Sequence, residues 1–245
     1  MSSLNSSHES LANVLVKICG IKRPEDAVMA DKLGADLLGL IHIDRSPRNL
    51  SLEEMEDILS LIPTEKAVIV LEPSDPVEVV EVMERTGVER IQLHSLSTED
   101  AGGIENVLNE NGFNARITVA IPPEAGALDV LDSISCSCVL VDASSGGRTG
   151  GTGRMIPPEL ALRMLRLIGS RDSTVEVALA GGLGPSTVRL NHEYLRQFDC
   201  LDFNSGIETA PGIKDHALMV ELMECMGRIG GDLQDPPGLQ RGELS

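Results

Sequence analysis

Residues 14–21 read VLVKICGI, a short apolar run that ends in a cysteine and a glycine. The run predicts a buried strand, and the glycine predicts a turn directly after it. Helix signals follow at once, because Pro24 suits a first helical turn, Asp26 suits its positive end, and Gly34 suits the stop. The stretch therefore predicts one strand–turn–helix unit whose turn carries a thiol.

Apolar runs of this kind recur along the chain, with room for one helix after each. They cover residues 14–19, 36–42, 66–71, 90–94, 116–121, 138–142, 175–180 and 200–204. Most are near-continuous rather than alternating, as in parallel strands that are covered on both sides. Eight such units predict an α/β fold, a single-domain (β/α)8 TIM barrel. The structural alternative is a doubly wound open sheet, and the lack of Gly-x-Gly-x-x-Gly after the first run disfavours its dinucleotide-binding version.

Several of the intervening helices have recognisable starts. These starts are Ser51, Asp75, Gly184 and Asp215. Ser51 and Glu54 form a capping-box pattern before an apolar stripe, and Gly87 is the expected stop of the helix that begins near Asp75. The segment after the fifth run is weakest, because its prolines and glycine leave only residues 128–134 for a short helix.

The composition bounds the function classes. The net charge of −18 disfavours nucleic acid as a partner, since phosphate binding needs a clustered basic face. No apolar run is long enough for a membrane helix and the polar start lacks a signal-peptide pattern, so we expect a cytoplasmic protein, monomer or homodimer, without a membrane partner. The five cysteines are irregularly spaced, which predicts reduced thiols and no metal site. Residues 14–226 are the predicted catalytic domain, and 1–13 and 227–245 are predicted to be flexible.

Unusual residues lie where the predicted strands end, which is where a barrel of this kind builds its active site. Cys19 ends the first strand before a glycine turn, and Asp142 ends the sixth, where a buried carboxylate is costly unless it faces a polar cavity. The glycine-rich residues 144–153 follow, a loop suited to closing over a ligand. Arg48, after the second strand, is suited to bind a carboxylate through two parallel hydrogen bonds.

Glycine turns follow the seventh and eighth strands. Gly181 and Gly182 follow the seventh, and Ser205 and Gly206 follow the eighth. Barrels commonly bind phosphate at these two places, because glycines let the backbone amides approach an anion closely. The pair of turns predicts a phosphate site.

Seven segments resemble, in the same order, the motifs of the phosphoribosylanthranilate isomerase family of tryptophan biosynthesis. They are residues 17–21 (KICGI), 46–48 (SPR), 92–94 (QLH), 141–143 (VDA), 150–153 (GGTG), 180–183 (AGGL) and 205–208 (SGIE). The resemblance extends from about residue 14 to about residue 226. Ser95 departs from it where a glycine usually follows the QLH motif, Asn204 where a serine is usual, and residues 154–157 where the family has an aromatic-acidic segment.

The resemblance implies an Amadori rearrangement of N-(5-phosphoribosyl)anthranilate that needs no cofactor. It implies that Asp142 is the general acid and Cys19 the general base, and that Arg48 holds the anthranilate carboxylate. The four residues of the two glycine turns would bind the phosphate, and Asp202 would contact a ribose hydroxyl. Gln92 and His94 would be either site-lining or structural.

Two alternatives remain at this stage. One is another phosphosugar barrel, such as the histidine-pathway isomerase that performs the same rearrangement with two aspartates, and Cys19 counts against it. The other is a noncatalytic barrel that binds a phosphorylated metabolite or a partner protein, which only the altered segment after Asp142 supports.

Overall fold

A closed barrel of eight parallel strands forms the centre of the computed structural model, which describes residues 11–143 and 155–228. The strands follow chain order: β1 (Leu15–Ile18), β2 (Leu37–His42), β3 (Ala67–Leu71), β4 (Arg90–Leu93), β5 (Arg116–Ile121), β6 (Cys138–Asp142), β7 (Glu176–Ala180) and β8 (Cys200–Phe203). The barrel closes where Leu15 of β1 pairs with Cys200 of β8. The predicted (β/α)8 fold is confirmed.

Helices cover the outside of the barrel. They are α1 (Pro24–Lys32), α2 (Leu52–Leu59), α3 (Pro76–Thr86), α4 (Thr98–Glu110), α5 (Pro158–Arg171), α6 (Pro185–Leu195) and α7 (His216–Cys225). Between β8 and α7 the chain adds a small antiparallel hairpin of β9 (Glu208–Ala210) and β10 (Ile213–Lys214). Among the described residues, no helix is long and apolar enough to cross a bilayer.

Local sequence signals explain where individual helices begin and end. The Ser51 hydroxyl accepts from the backbone of Glu54 and the Glu54 side chain bonds back, so the predicted capping box forms. Gly87 ends α3 at a φ of 67°, a left-handed conformation that glycine adopts without strain. The expected short helix at residues 128–134 is instead a 3-10 helix, Ala125–Asp132. Prolines precede it and Gly126 lies within it, which disfavours a regular α-helix there.

The main apolar core lies between the strands and the helices, and a smaller cluster lies inside the barrel. The smaller cluster consists of Ala120, Cys138, Leu140, Ala178, Ala180 and Cys200. Most of these side chains are small, whereas bulky branched residues usually fill such barrels. The interior therefore has room for polar side chains. All five cysteines are free thiols, as predicted.

The described parts of the two chain ends contact the barrel. Leu11 lies in a short 3-10 turn and is buried. Arg228 Nη2 donates to the carbonyl of Val14 at 2.9 Å and to Asp36 Oδ2 at 2.8 Å. Both contacts fall within the segments predicted to be flexible, 1–13 and 227–245; the rest of those segments, and the glycine-rich loop 144–153, lie outside the described residues.

Candidate active site

Cys19 is held at the carboxyl end of the barrel. Its backbone N–H donates to the carbonyl of Phe203 at 2.8 Å, which ties the residue after β1 to β8. On the other side lies β2, where a Cβ atom at Gly39 would sit 2.6 Å from the thiol sulfur. A glycine at this position therefore makes room for the thiol. Burial and the Asp202 carboxylate raise the pKa of Cys19 to about 11, although Lys17 and Lys214 oppose this.

A buried ion pair lies inside the barrel, near the thiol. Lys17 Nζ donates to Asp202 Oδ2 at 2.8 Å and to the side-chain oxygen of Gln92. Burial alone would lower the pKa of Lys17, but Asp202 outweighs it and the pKa is raised. Lys17 is therefore a permanent cation. Its charge is shared with Asp202, so it offsets only part of the cost of forming a thiolate at Cys19.

Asp142 and His94 form the opposite part of the rim. Asp142 ends β6 and is 8% exposed, so little of it is in contact with solvent. The Gln92 amide nitrogen lies 2.7 Å from His94 Nε2. Because an amide nitrogen only donates, His94 Nε2 accepts and the ring is neutral. Burial lowers the pKa of His94 and the nearby Asp142 opposes this, which agrees with a neutral ring.

Arg48 lies over the turn that follows Cys19. A Cβ atom at Gly20 would sit 2.6 Å from the Arg48 Cδ and 2.6 Å from the Asn204 Oδ1, so only glycine lets both side chains cover the turn. The Arg48 guanidinium is bonded to Glu208 of β9. The sequence indicated no role for Glu208, although it lies in the SGIE motif.

The two glycine turns meet at the ends of β7 and β8. Gly181 and Gly182 have φ angles of 96° and 65°, in the left-handed region. A Cβ atom at Gly206 would overlap the Leu183 carbonyl, so the turns approach as closely as backbone allows. Gly206 is exposed and Ser205 half-buried. This part of the rim therefore presents accessible backbone.

The structure places all the predicted site residues at or just below one end of the barrel. Asp202 is the deepest of them, because it is bonded to Lys17 inside the barrel. Lys214 of β10 was missed, since no spacing signal connects it to the strand ends. Within residues 11–143 and 155–228, no group of three His, Cys, Asp or Glu side chains is placed to hold a metal ion.

Comparisons with known proteins concern the chain as a whole rather than single site residues. The sequence profile of N-(5'-phosphoribosyl)anthranilate isomerases matches residues 16–225. The N-(5'-phosphoribosyl)anthranilate isomerase of Methanothermobacter thermautotrophicus is 80% identical over 242 residues, covering 99% of this chain and 100% of the relative. The corresponding protein of Methanothermobacter marburgensis is 52% identical, covering 85% of this chain and 92% of the relative.

A solved structure shows the same architecture. Phosphoribosyl anthranilate isomerase from Thermus thermophilus superposes with a TM-score of 0.71 at 28% identity, covering 87% of this chain and 98% of that one. The profile spans nearly the whole barrel. The Methanothermobacter thermautotrophicus relative aligns with this chain over nearly the full length of both. The chain therefore belongs to the N-(5'-phosphoribosyl)anthranilate isomerase family, the isomerases of tryptophan biosynthesis.

Proposed function

We propose that the chain converts N-(5-phospho-β-D-ribosyl)anthranilate to 1-(2-carboxyphenylamino)-1-deoxy-D-ribulose 5-phosphate, with Cys19 as general base and Asp142 as general acid. The observation that carries the proposal is the presence of one thiol and one carboxyl group at the ends of β1 and β6, on the rim that also holds both glycine turns. The reaction moves protons within one molecule, so two proton-transfer groups are sufficient. Family membership supports the choice of substrate.

The two groups act in sequence. Asp142 protonates the furanose ring oxygen, the C1–O bond breaks, and the nitrogen lone pair forms a C1=N iminium. Cys19 then removes the C2 proton, and the C–H electrons move to give an enolamine. The enolamine takes a proton at C1 while the C2 hydroxyl loses one, which yields the ketone. No atom enters or leaves overall.

The high pKa of Cys19 fits this order of events. With a pKa of about 11 the thiol is protonated at neutral pH in the ligand-free protein. Ring opening places a positive iminium one bond from C2, and a nearby positive charge favours a thiolate. The base therefore becomes effective after the acid has acted.

The remaining rim residues bind the substrate in this proposal. The backbone at Gly181, Gly182, Ser205 and Gly206 holds the phosphate. Arg48 holds the anthranilate carboxylate. Asp202, with Oδ2 already bonded to Lys17, contacts a ribose hydroxyl through its other oxygen. Cytoplasmic location and assembly as a monomer or homodimer remain predictions from the sequence.

Product analysis in deuterated water tests the proposal. The purified chain is given the substrate labelled with ¹³C at C2, and the expected result is a ketone carbon at C2 together with one deuterium at C1. Binding without any ketose formation would show a noncatalytic barrel. A ketose that carries no solvent deuterium would rule out proton transfer through an enolamine that exchanges with water.

A further inference from the structure

Glu208 binds only one edge of the Arg48 guanidinium. Arg48 Nε lies 2.9 Å from Glu208 Oε1 and 3.2 Å from Oε2, and Nη2 lies 2.6 Å from Oε2. The Arg48 and Glu208 side chains are 10% and 3% exposed. The pair is therefore shielded from water and fixed in orientation, unlike an ordinary surface ion pair.

A guanidinium offers two edges to a carboxylate, Nε with one Nη, and Nη1 with Nη2. Glu208 occupies the first of these edges. Within the part of the chain that the structure describes, no group accepts a hydrogen bond from Arg48 Nη1. The second edge of Arg48 is thus available for another planar acceptor while Glu208 remains in place.

Glu208 is itself held by the hairpin that carries it. Lys214 Nζ donates to Glu208 Oε1 at 2.8 Å, and the Gly212 N–H donates to the same oxygen at 3.2 Å. Burial alone would raise the pKa of Glu208, but hydrogen bonds from Arg48 and Lys214 lower it, so the carboxylate is ionised. Lys214 Nζ also donates to Asn204 Oδ1 at 3.1 Å, which links the hairpin to the turn after β8.

The charge of this cluster points to an anionic ligand. Arg48 and Lys214 are cations and Glu208 is an anion, so the buried group has one excess positive charge. Burial lowers the pKa of Lys214, the Glu208 carboxylate opposes this, and the nearby Arg48 cation adds to the lowering. A single carboxylate bound to the second edge of Arg48 would bring the net charge of the cluster to zero.

We propose that Glu208 is a positioning residue that makes the site selective for a substrate with an aromatic carboxylate. It fixes the plane of Arg48 so that the Nη1–Nη2 edge faces the ligand, with Lys214 and Gly212 holding Glu208 in turn. This inference rests on the proposed function, because it assigns Arg48 to the anthranilate carboxylate. Glu208 does not touch the reacting atoms.

Steady-state kinetics of Glu208→Gln with two substrates tests the inference. The substrates are N-(5-phosphoribosyl)anthranilate and the same compound without the carboxylate, N-(5-phosphoribosyl)aniline. We expect KM for the first to rise about 10-fold, the effect of losing one charged hydrogen bond, with kcat changed less than about 3-fold. KM for the aniline compound should change less than about 2-fold, and Glu208→Gln should have no further effect on KM in an Arg48→Ala background.

Two further variants keep the result interpretable. Glu56→Gln removes an exposed Arg–Glu pair on the outer helices, with Arg85, and should leave both KM values unchanged. Glu208→Asp keeps the charge and should restore part of the selectivity, and it replaces Glu208→Gln if that variant does not fold. Equal loss for both substrates, or no change for either, would overturn the inference. Failure of the wild-type chain to convert either substrate would instead refute the proposed function.

Discussion

At the scale of single residues, the environment of Cys19 bears directly on its proposed role as a base. The thiol is 4% exposed, close to the Asp202 carboxylate, and the two nearby lysines are each shared with an acid. Because the charged form is the one that burial disfavours, the thiol stays protonated in the ligand-free protein. The proposed mechanism therefore requires that the bound substrate lowers the pKa of the Cys19 thiol.

Titration of the ligand-free protein checks this state. The ultraviolet absorbance of the thiolate, taken as the difference between wild type and Cys19→Ser, should show no ionisation of Cys19 below about pH 9. The absorbance should rise above that pH, with a midpoint near the pKa of about 11. A midpoint at or below the ordinary cysteine value of about 8.5 would contradict the account.

Ser95 is a strained residue next to the site. Its φ is 56°, and it is the one non-glycine residue in the described ranges with a positive φ. Glycine adopts this conformation without strain. We expect Ser95→Gly to raise the free energy of unfolding by about 1 kcal/mol in urea titrations.

The nearby variant Ser97→Ala provides a comparison for Ser95→Gly, with the opposite expected sign. Ser97 caps α4, and Ser97→Ala should lower the free energy of unfolding by about 1 kcal/mol. The Ser95 side chain also contributes to lowering the pKa of Glu72, and this favourable interaction reduces the gain from glycine. A clear loss of stability in Ser95→Gly would show that this interaction outweighs the backbone strain.

At the scale of elements, Asp26 joins three parts of the fold. It is fully buried on α1, and its carboxylate accepts from Arg23 at 2.6 Å and 2.8 Å. It also accepts from the backbone N–H of Lys214 at 3.1 Å and from His216 Nε2 at 2.8 Å. Asp26 thus holds the hairpin and the start of α7 against α1. Through the hairpin it supports Glu208.

Asp26→Asn should lower the free energy of unfolding by about 2 kcal/mol at pH 7, because the buried carboxylate loses its charged hydrogen bonds from Arg23. Burial alone would raise the pKa of Asp26, but its hydrogen bonds lower it below the unfolded value. The stabilisation is therefore complete above about pH 4 and is lost as the pH falls through the folded pKa. In urea titrations, the difference in free energy of unfolding between wild type and Asp26→Asn should shrink below about pH 4. Asp57 is exposed, so Asp57→Asn should have the same free energy of unfolding as wild type. If the difference between wild type and Asp26→Asn does not depend on pH, the ionised carboxylate is not what stabilises the fold.

Individual elements were predictable where their signals are local. The capping box at Ser51 and the glycine stop at Gly87 each depend on a few neighbouring residues, and both form as expected. The segment 125–132 was predicted less well, because its prolines and glycine weaken the α-helical signal without specifying a 3-10 helix.

At the scale of the whole molecule, the repeated strand pattern was enough to predict a closed barrel. The site was predicted only as far as single residues at strand ends. The Lys17–Asp202 and Arg48–Glu208 pairs join residues separated by 185 and 160 positions. No local pattern records such contacts, since they exist only once β1 and β8 are neighbours. This is why Glu208 and Lys214 were missed.

The chain ends allow a test of where the folded unit stops. Removing residues 229–245, which include four glycines and two prolines, should change Tm by less than about 2 °C. Removing residues 227–245 also deletes Arg228 and its bonds to Val14 and Asp36, and should lower Tm by about 2–4 °C. Calorimetry of both truncations checks this, and an equal, large drop in both would show that the last 17 residues stabilise the barrel.

The central claim is that Cys19 and Asp142 perform the proton transfers. The most direct measurement is kcat for Cys19→Ala and Asp142→Asn, with circular dichroism to confirm folding and Cys225→Ala on α7 as the control. The account predicts a loss of about 10²-fold or more in each site variant, the usual scale for removing a general acid or base, and no change in the control. A folded Cys19→Ala or Asp142→Asn protein that keeps nearly the wild-type kcat would contradict it.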